Sequence, residues 1–153
     1  MNKPKSVTKN EEVVIPAGSV RLYGILGLPL HAKGVVVFAH GSGSGRFSPR
    51  NNFVAKILQN AGTATLLVDL LEESEAQDRR KVFDIDLLTE RLLANAHWLR
   101  QQPGTRGLSM GYFGASTGAA AALQAAAQEP QEIAAVVSRG GRPDLAMEYL
   151  ARV

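Results

Sequence analysis

Residues 114–118 read Gly-Ala-Ser-Thr-Gly, a G-x-S-x-G pattern with Ser116 at its centre. A buried-strand run precedes it and a helix-forming run follows, the context in which this motif carries a nucleophile. A sharp strand-to-helix turn would strain the Ser116 backbone, and the flanking glycines would remove Cβ atoms that otherwise clash there. The pattern therefore predicts a nucleophile at Ser116, with the Thr117 N–H and the helix dipole stabilising an oxyanion. The alternative is an ordinary turn of small residues.

A second chemical signal is the loop His-Gly-Ser-Gly-Ser-Gly-Arg at residues 40–46, directly after a buried-strand run. Successive backbone N–H groups of such a loop can form an anion-binding nest. The N–H of Ser42 is the candidate second oxyanion donor, beside that of Thr117. The alternative is a flexible Gly/Ser turn without chemistry.

Two nucleotide-binding interpretations of this loop compete with that hypothesis. A Walker A loop is excluded because the closing Gly-Lys-Ser/Thr is missing. A dinucleotide site is the stronger rival, since Gly41 and Gly43 follow one strand and Asp69 ends the next, where a ribose-binding acid belongs. The third glycine of that fingerprint would fall at Arg46, which disfavours it. We therefore predict neither a cofactor nor a metal.

A nucleophilic serine needs a base, and the chain contains three histidines. We expect His31 in a surface turn and His97 on a packing or solvent-facing side of a long helix. His40 ends a strand expected beside the Ser116 strand, which makes it the candidate base. The favoured alternative for His40 is a hydrogen-bonded residue that shapes the loop.

Several aspartates are candidate acids. They are Asp69, Asp84, Asp86 and Asp144. We expect Asp84 to cap a helix and Asp144 to cap the terminal turn. Neither has a histidine to orient, so no catalytic acid is assigned.

The apolar patterns around these motifs predict an α/β protein. Residues 13–15 and 20–26 favour two strands joined by a Pro-Ala-Gly turn, the second alternating like a sheet-edge strand. Buried-strand runs follow at 35–39, 63–69, 108–114 and 133–138.

Between these strands we predict three helices. The first is capped by Ser48-Pro49, has an apolar stripe at Phe53, Val54, Ile57 and Leu58, and stops at Gly62. A long helix carries Ile85, Leu88, Leu92, Ala96 and Leu99 and stops at Pro103-Gly104, and an Ala-rich helix covers 119–128. The charged stretch 72–81 is expected to be a solvated loop. This alternation predicts a three-layer α/β/α sandwich with a mostly parallel sheet.

Composition limits the class of protein. The chain has 153 residues, 45% hydrophobic and 20% charged, with no Cys, which fits one domain over residues 11–153 behind a frayed segment, 1–10. No apolar run approaches ~18 residues, and the basic start leads into no apolar segment, so we expect a cytoplasmic protein without a membrane partner. A net charge of +3 without a basic block argues against nucleic acid as a partner.

Together, the segments VVVFAHGSGSGRFSPRN, TATLLVDLL, FDIDLLTERL and GYFGASTGAAAAL followed by AAVVSRGGRPDLA resemble the α/β-hydrolase fold. Within it they look like the dienelactone-hydrolase-related branch of small serine hydrolases, over nearly the whole chain from about residue 12 onward. The resemblance implies hydrolysis of a carboxylic ester or lactone through an acyl-enzyme on Ser116. The amides of Thr117 and Ser42 would form the oxyanion hole. The founding dienelactone hydrolases use a cysteine where this chain has Ser116.

The chain departs from the family pattern towards its C-terminus. The triad of this fold runs Ser, Asp/Glu, His along the chain, but no histidine follows His97. We therefore predict a C-terminally incomplete hydrolase domain whose activity is weak or needs residues supplied in trans. Residues 133–138 would then be an open apolar edge, so we expect a homo-oligomer or a docked C-terminal fragment. The alternative function is a non-catalytic binding or assembly module built on half of a hydrolase fold.

Overall fold

The centre of the fold is a six-stranded mixed sheet, in a computed structural model that describes residues 7–153. Its strands are β1 Thr8–Ala17, β2 Val20–Pro29, β3 Gly34–Ala39, β4 Thr63–Val68, β5 Ser109–Ala115 and β6 Ile133–Arg139. They lie in the order β1-β2-β4-β3-β5-β6. β1 and β2 pair antiparallel, β2 pairs antiparallel with β4, and the remaining strands are parallel.

Helices on both faces of this sheet confirm the predicted α/β/α arrangement. They are α1 Pro49–Asn60, α2 Glu73–Ala76, α3 Arg79–Val82, α4 Ile85–Gln101 and α5 Thr117–Gln128, followed by a 3₁₀ segment, Pro143–Arg152. α4 and α5 pack together over one face. On the other face, Ala55 of α1 packs against Phe38 and Leu67. Within residues 7–153, no helix combines the length and the apolar character needed to cross a membrane.

Local sequence signals determine the helix ends as predicted. Ser48 accepts a hydrogen bond from the Asn51 N–H, and Pro49 opens α1. Gly62, with a φ of 89°, follows the end of that helix. Asp84 caps α4 in the same way as Ser48 caps α1. The predicted stripe of α4 is buried at Leu88, Leu92, Ala96 and Leu99.

The charged stretch 72–81, predicted to be a solvated loop, is largely exposed but is not a loop. It forms α2 and α3, and the side chain of Glu75 in α2 is only 7% exposed because its carboxylate pairs with Arg91 of α4. A capping box at Glu72 and Glu75 begins α2. A run of charges usually marks a solvated surface. The compensating arginine lies in another helix, so the stretch itself carries no sign that one of its charges is buried.

The strand assignments need two corrections. β2, predicted as a sheet-edge strand, lies between β1 and β4, and β1 forms the edge. The exposed alternate residues of β2 reflect an open sheet face rather than a free edge. The run 133–138, typical of a buried strand, forms β6 at the opposite edge, where Val137 is 52% exposed. That position agrees with the open edge predicted from the strand count.

The apolar stripe predicted for α1 is half correct. Val54 and Leu58 pack against the sheet, whereas Phe53 and Ile57 are 68% and 53% exposed. Phe53 lines a cavity of about 370 Å³ together with Arg139 of β6. The buried positions of α1 are Asn51 and Ala55, so Phe53 and Ile57 lie outside the face that the sheet covers.

The start of the domain also differs from the prediction. Residues 1–6 of the segment predicted to be frayed lie outside the described residues. Thr8 already pairs with Pro29, so β1 begins before the predicted boundary at residue 11.

Candidate active site

Ser116 occupies the sharp turn between β5 and α5. Its φ and ψ are 54° and −125°, a region that L-residues rarely adopt, and such strain concentrates at functional sites. A Cβ on Gly114 would lie 2.8 Å from the backbone nitrogen of Ala119, and one on Gly118 would overlap the backbone oxygens of Ala39 and His40. The two flanking glycines are therefore required by close backbone approach, as the sequence pattern predicts.

The Gly-rich loop, residues 40–48, connects β3 to α1 beside this turn. β3 and β5 pair in parallel with Ala39 opposite Gly114, so the loop and Ser116 meet at the carboxyl edge of the sheet. A Cβ on Gly41 would lie 3.0 Å from the Cβ of Ser116, which measures how closely the loop backbone approaches the serine. Ser42 is exposed at the following turn. The Thr117 N–H lies in the first turn of α5, where backbone donors have no acceptor within the helix.

His40 is buried and bonds to backbone on both sides of its ring. Nε2 lies 3.0 Å from the Leu70 nitrogen and Nδ1 lies 2.8 Å from the Gly41 oxygen. A backbone N–H only donates and a carbonyl only accepts, so Nδ1 carries the hydrogen and Nε2 is the acceptor. Burial lowers the pKa of His40 below 6.5, against the raising effects of the Gly41 hydrogen bond and the Asp69 charge.

These bonds bear on the candidate base. The lone pair of Nε2 is occupied by the Leu70 N–H, and the hydrogen bonds that the described residues make with this ring go to Leu70 and Gly41. The geometry therefore fits the favoured alternative, in which His40 shapes the loop, and does not bring a base to Ser116.

Asp69 contacts the other end of the Gly-rich loop. Its Oδ1 accepts from the Arg46 backbone N–H at 2.6 Å, and its Oδ2 pairs with the Arg46 guanidinium. The guanidinium also lies over the rings of Phe47 and Tyr23, at 4.3 and 5.7 Å from their centroids. In a dinucleotide site the Asp69 carboxylate would bind a ribose, but here it is bound to Arg46 of the Gly-rich loop.

An open cleft of about 1570 Å³ lies in front of the loop. One wall is the loop itself, and the opposite wall is formed by α2 and α3 with the residues that precede them. The buried Glu75–Arg91 pair holds this second wall, with two bonds of 2.8 Å between guanidinium and carboxylate. Arg91 lowers the pKa of Glu75 to about 2. Thr117 lines the floor, buried, with its hydroxyl unpaired.

The remaining candidates lie away from this edge or have structural partners. His31 is exposed, with a φ of 57°, and His97 is exposed on α4. Asp86 accepts a 2.7 Å hydrogen bond from Gln124. Asp144 was expected to cap the terminal turn, but it pairs with Arg142, and the 3₁₀ segment has no side-chain cap.

Sequence reasoning missed three side chains that support the site. Tyr23, Arg46 and Arg91 come from three separate parts of the chain and make their contacts only in the folded state. Arg46 stood out only as the residue that spoils a glycine fingerprint. Arg46 lies two residues before the helix start at Ser48-Pro49, and this spacing is the sequence signal that places it near the end of the loop.

One solved structure is similar to this chain over nearly all of its length. The dienelactone hydrolase from Anabaena variabilis ATCC 29413 is 52% identical, with a TM-score of 0.92, over 95% of this chain and 69% of that one. The chain belongs to the dienelactone hydrolase family. More distant structures share the fold of this family member. A Pyrococcus furiosus esterase is 22% identical, with a TM-score of 0.73, over 88% of this chain and 50% of that one. Est1E from Butyrivibrio proteoclasticus is 19% identical, with a TM-score of 0.70, over 82% and 48%.

The curated relatives of this dienelactone hydrolase family member carry a different name. Proteins from two strains of Mycobacterium tuberculosis, provisionally named phosphoribosyl transferases, are 55% identical over 145 residues. The match covers 95% of this chain and 33% of those proteins, so the chain spans about a third of their length. No family model matches the chain.

Proposed function

We propose that the chain carries the nucleophile and oxyanion-binding part of a serine hydrolase for carboxylic esters or lactones. Ser116 Oγ attacks the carbonyl carbon and loses its proton to a base, and the tetrahedral oxyanion accepts hydrogen bonds from the amides of Thr117 and Ser42. The carbon–oxygen bond to the leaving alkoxide then breaks, the alkoxide takes the proton, and water later releases the acid from the acyl-enzyme. The observation that carries this proposal is the strained Ser116 directly beside the Gly-rich loop.

The proposal includes a base that the described residues of this copy of the chain do not supply. Nε2 of His40 already accepts the Leu70 N–H, so it is not free to take the serine proton. A second copy of the chain or a docked C-terminal fragment would supply the base in trans. Without a base, oxyanion stabilisation and substrate binding alone accelerate the reaction ~10³–10⁴-fold over water in a model protease. We therefore expect slow turnover of activated esters.

We do not extend the transferase name of the longer mycobacterial proteins to this chain. The chain spans 33% of them, and the strained serine with its neighbouring loop supports acyl transfer. The competing function is a binding or assembly module that keeps the hydrolase fold without its chemistry.

A fluorophosphonate probe separates these functions. We expect labelling of the chain that Ser116→Ala abolishes and Ser74→Ala leaves unchanged, since Ser74 is an exposed serine in the wall of the cleft in front of the Gly-rich loop. Turnover of p-nitrophenyl acetate should follow the labelling. A folded protein that reacts with neither reagent would overturn the proposal and favour the binding module.

A further inference from the structure

Two consecutive residues at the end of β4, Asp69 and Leu70, contact both ends of the Gly-rich loop. Leu70 bonds to His40 at its start, and Asp69 bonds to Arg46 near its end. We propose that Asp69 is a positioning residue that sets the conformation of the Gly-rich loop and thereby aims the Ser42 N–H at the reacting oxygen. Its effect on reactivity rests on the proposed function, whereas its effect on the loop does not.

The contact at Asp69 is close and specific. One carboxylate oxygen accepts the Arg46 backbone N–H at 2.6 Å, and the other pairs with the guanidinium of the same residue. A Cβ on Gly45 would lie 2.6 Å from Asp69 Oδ1, so the loop backbone passes directly over the carboxylate. The pair is partly shielded, with the two side chains 22% and 27% exposed. Charge-assisted bonds to one backbone and one side-chain donor fix both position and direction.

The contact at Leu70 fixes the start of the loop independently. The Leu70 N–H donates to His40, which in turn donates to the Gly41 carbonyl, and Gly41 is the residue that approaches Ser116. Because Asp69 and Leu70 are adjacent, two consecutive residues directly after β4 hold both the start of the loop and Arg46 near its end.

The residues between these two contacts need such support. Residues 41–45 are three glycines and two serines, which are intrinsically permissive, and Gly43 has a φ of 72°. Their internal bonding is limited to turn contacts such as Ser44 N–H to the Gly41 carbonyl at 3.2 Å. An oxyanion donor must already point at the oxygen when charge develops, so a donor on a loosened loop loses part of its effect.

Asp69→Asn tests this inference, because an amide nitrogen would face the Arg46 guanidinium in place of a carboxylate oxygen. We expect faster hydrogen exchange and shifted NMR signals for the amides of residues 42–46, and about tenfold slower phosphonylation of Ser116. The loss should fall in the maximal inactivation rate rather than in probe binding. Asp84→Asn is the matched control, since it makes the same chemical change at a helix cap whose hydrogen bond goes to Leu87 of α4, and it should alter neither readout.

The outcomes separate this inference from the proposed function. Unchanged loop amides in a folded Asp69→Asn protein would overturn the positioning role, and so would a loosened loop with an unchanged inactivation rate. If the unmutated protein does not react with the probe, the proposed function is wrong, and the effect of Asp69 on reactivity is wrong with it. The effect of Asp69 on the loop is still decided by the loop amides. Should Asp69→Asn not fold, Arg46→Lys tests the side-chain half of the contact by the same two readouts, since it keeps the charge and the backbone N–H bond to Asp69 but loses the planar guanidinium.

Discussion

The Leu70 backbone N–H donates a 3.0 Å hydrogen bond to Nε2 of His40, and this bond occupies the lone pair that a general base would use. His40, the candidate base because its strand lies beside the Ser116 strand, is therefore a structural residue of the loop. The hydrogen-bond directions show this without any assumption about protonation, because both partners of the ring are backbone groups.

The first prediction concerns the protonation of His40. Burial lowers its pKa, so the neutral ring with its hydrogen on Nδ1 should be the major form at pH 6.5. A neutral native histidine gives stability that is complete above the unfolded pKa and declines as the pH falls towards the folded pKa. Ring ¹⁵N spectra across pH 5–8 would measure this. A ring with its hydrogen on Nε2 would contradict the assignment.

The second prediction concerns the buried pair in the cleft wall. Glu75→Gln should lower the free energy of unfolding at pH 7 by about 3 kcal/mol, because it breaks a bidentate pair and leaves Arg91 buried without its counter-charge. Since Arg91 lowers the pKa of Glu75 from 4.5 to about 2, the difference should be full above pH 4.5 and shrink as the pH falls towards 2.

Urea unfolding at pH 7 and pH 3 measures this effect. Glu73→Gln, an exposed change in the same short helix, serves as the control and should cost little at either pH. An equal loss for both variants would contradict the role of the buried pair.

The third prediction concerns strain at Ser116. Glycine adopts a φ of 54° without a side-chain clash, whereas alanine keeps the strain of serine. We expect Ser116→Gly to be about 1 kcal/mol more stable than Ser116→Ala, measured by thermal or denaturant unfolding. The reverse order would show that the turn is not strained.

The fourth prediction concerns the open edge at β6. Residues 133–138 carry no charge, whereas the other edge strand, β1, contains Lys9, Glu11 and Glu12, which discourage pairing. We expect concentration-dependent association that Val137→Lys weakens and Val14→Lys, on β1, does not. Sedimentation over a wide concentration range would measure it. A monomer at every concentration would contradict the predicted oligomer.

Sequence reasoning reached the layers and most of the strands and helix ends because periodicity and helix caps are local. The Ser48 cap, the α4 stripe and the glycines beside Ser116 all act within a few residues of themselves. It failed where a distant partner decides the outcome, as for the burial of Glu75 by Arg91 and the contact of Asp69 with Arg46. Which face of α1 the sheet covers, and hence the exposure of Phe53, likewise depends on the assembled sheet.

The order of the strands has a consequence for how the domain tolerates change. Ser116, the Gly-rich loop and Asp69 follow β5, β3 and β4, and these three strands are adjacent in the sheet, with β2 and β6 on either side. A partner that adds to β6 would touch a strand that contributes none of these groups. A partner strand added at that edge would therefore be separated from β5, the strand that leads into Ser116, by the full width of β6.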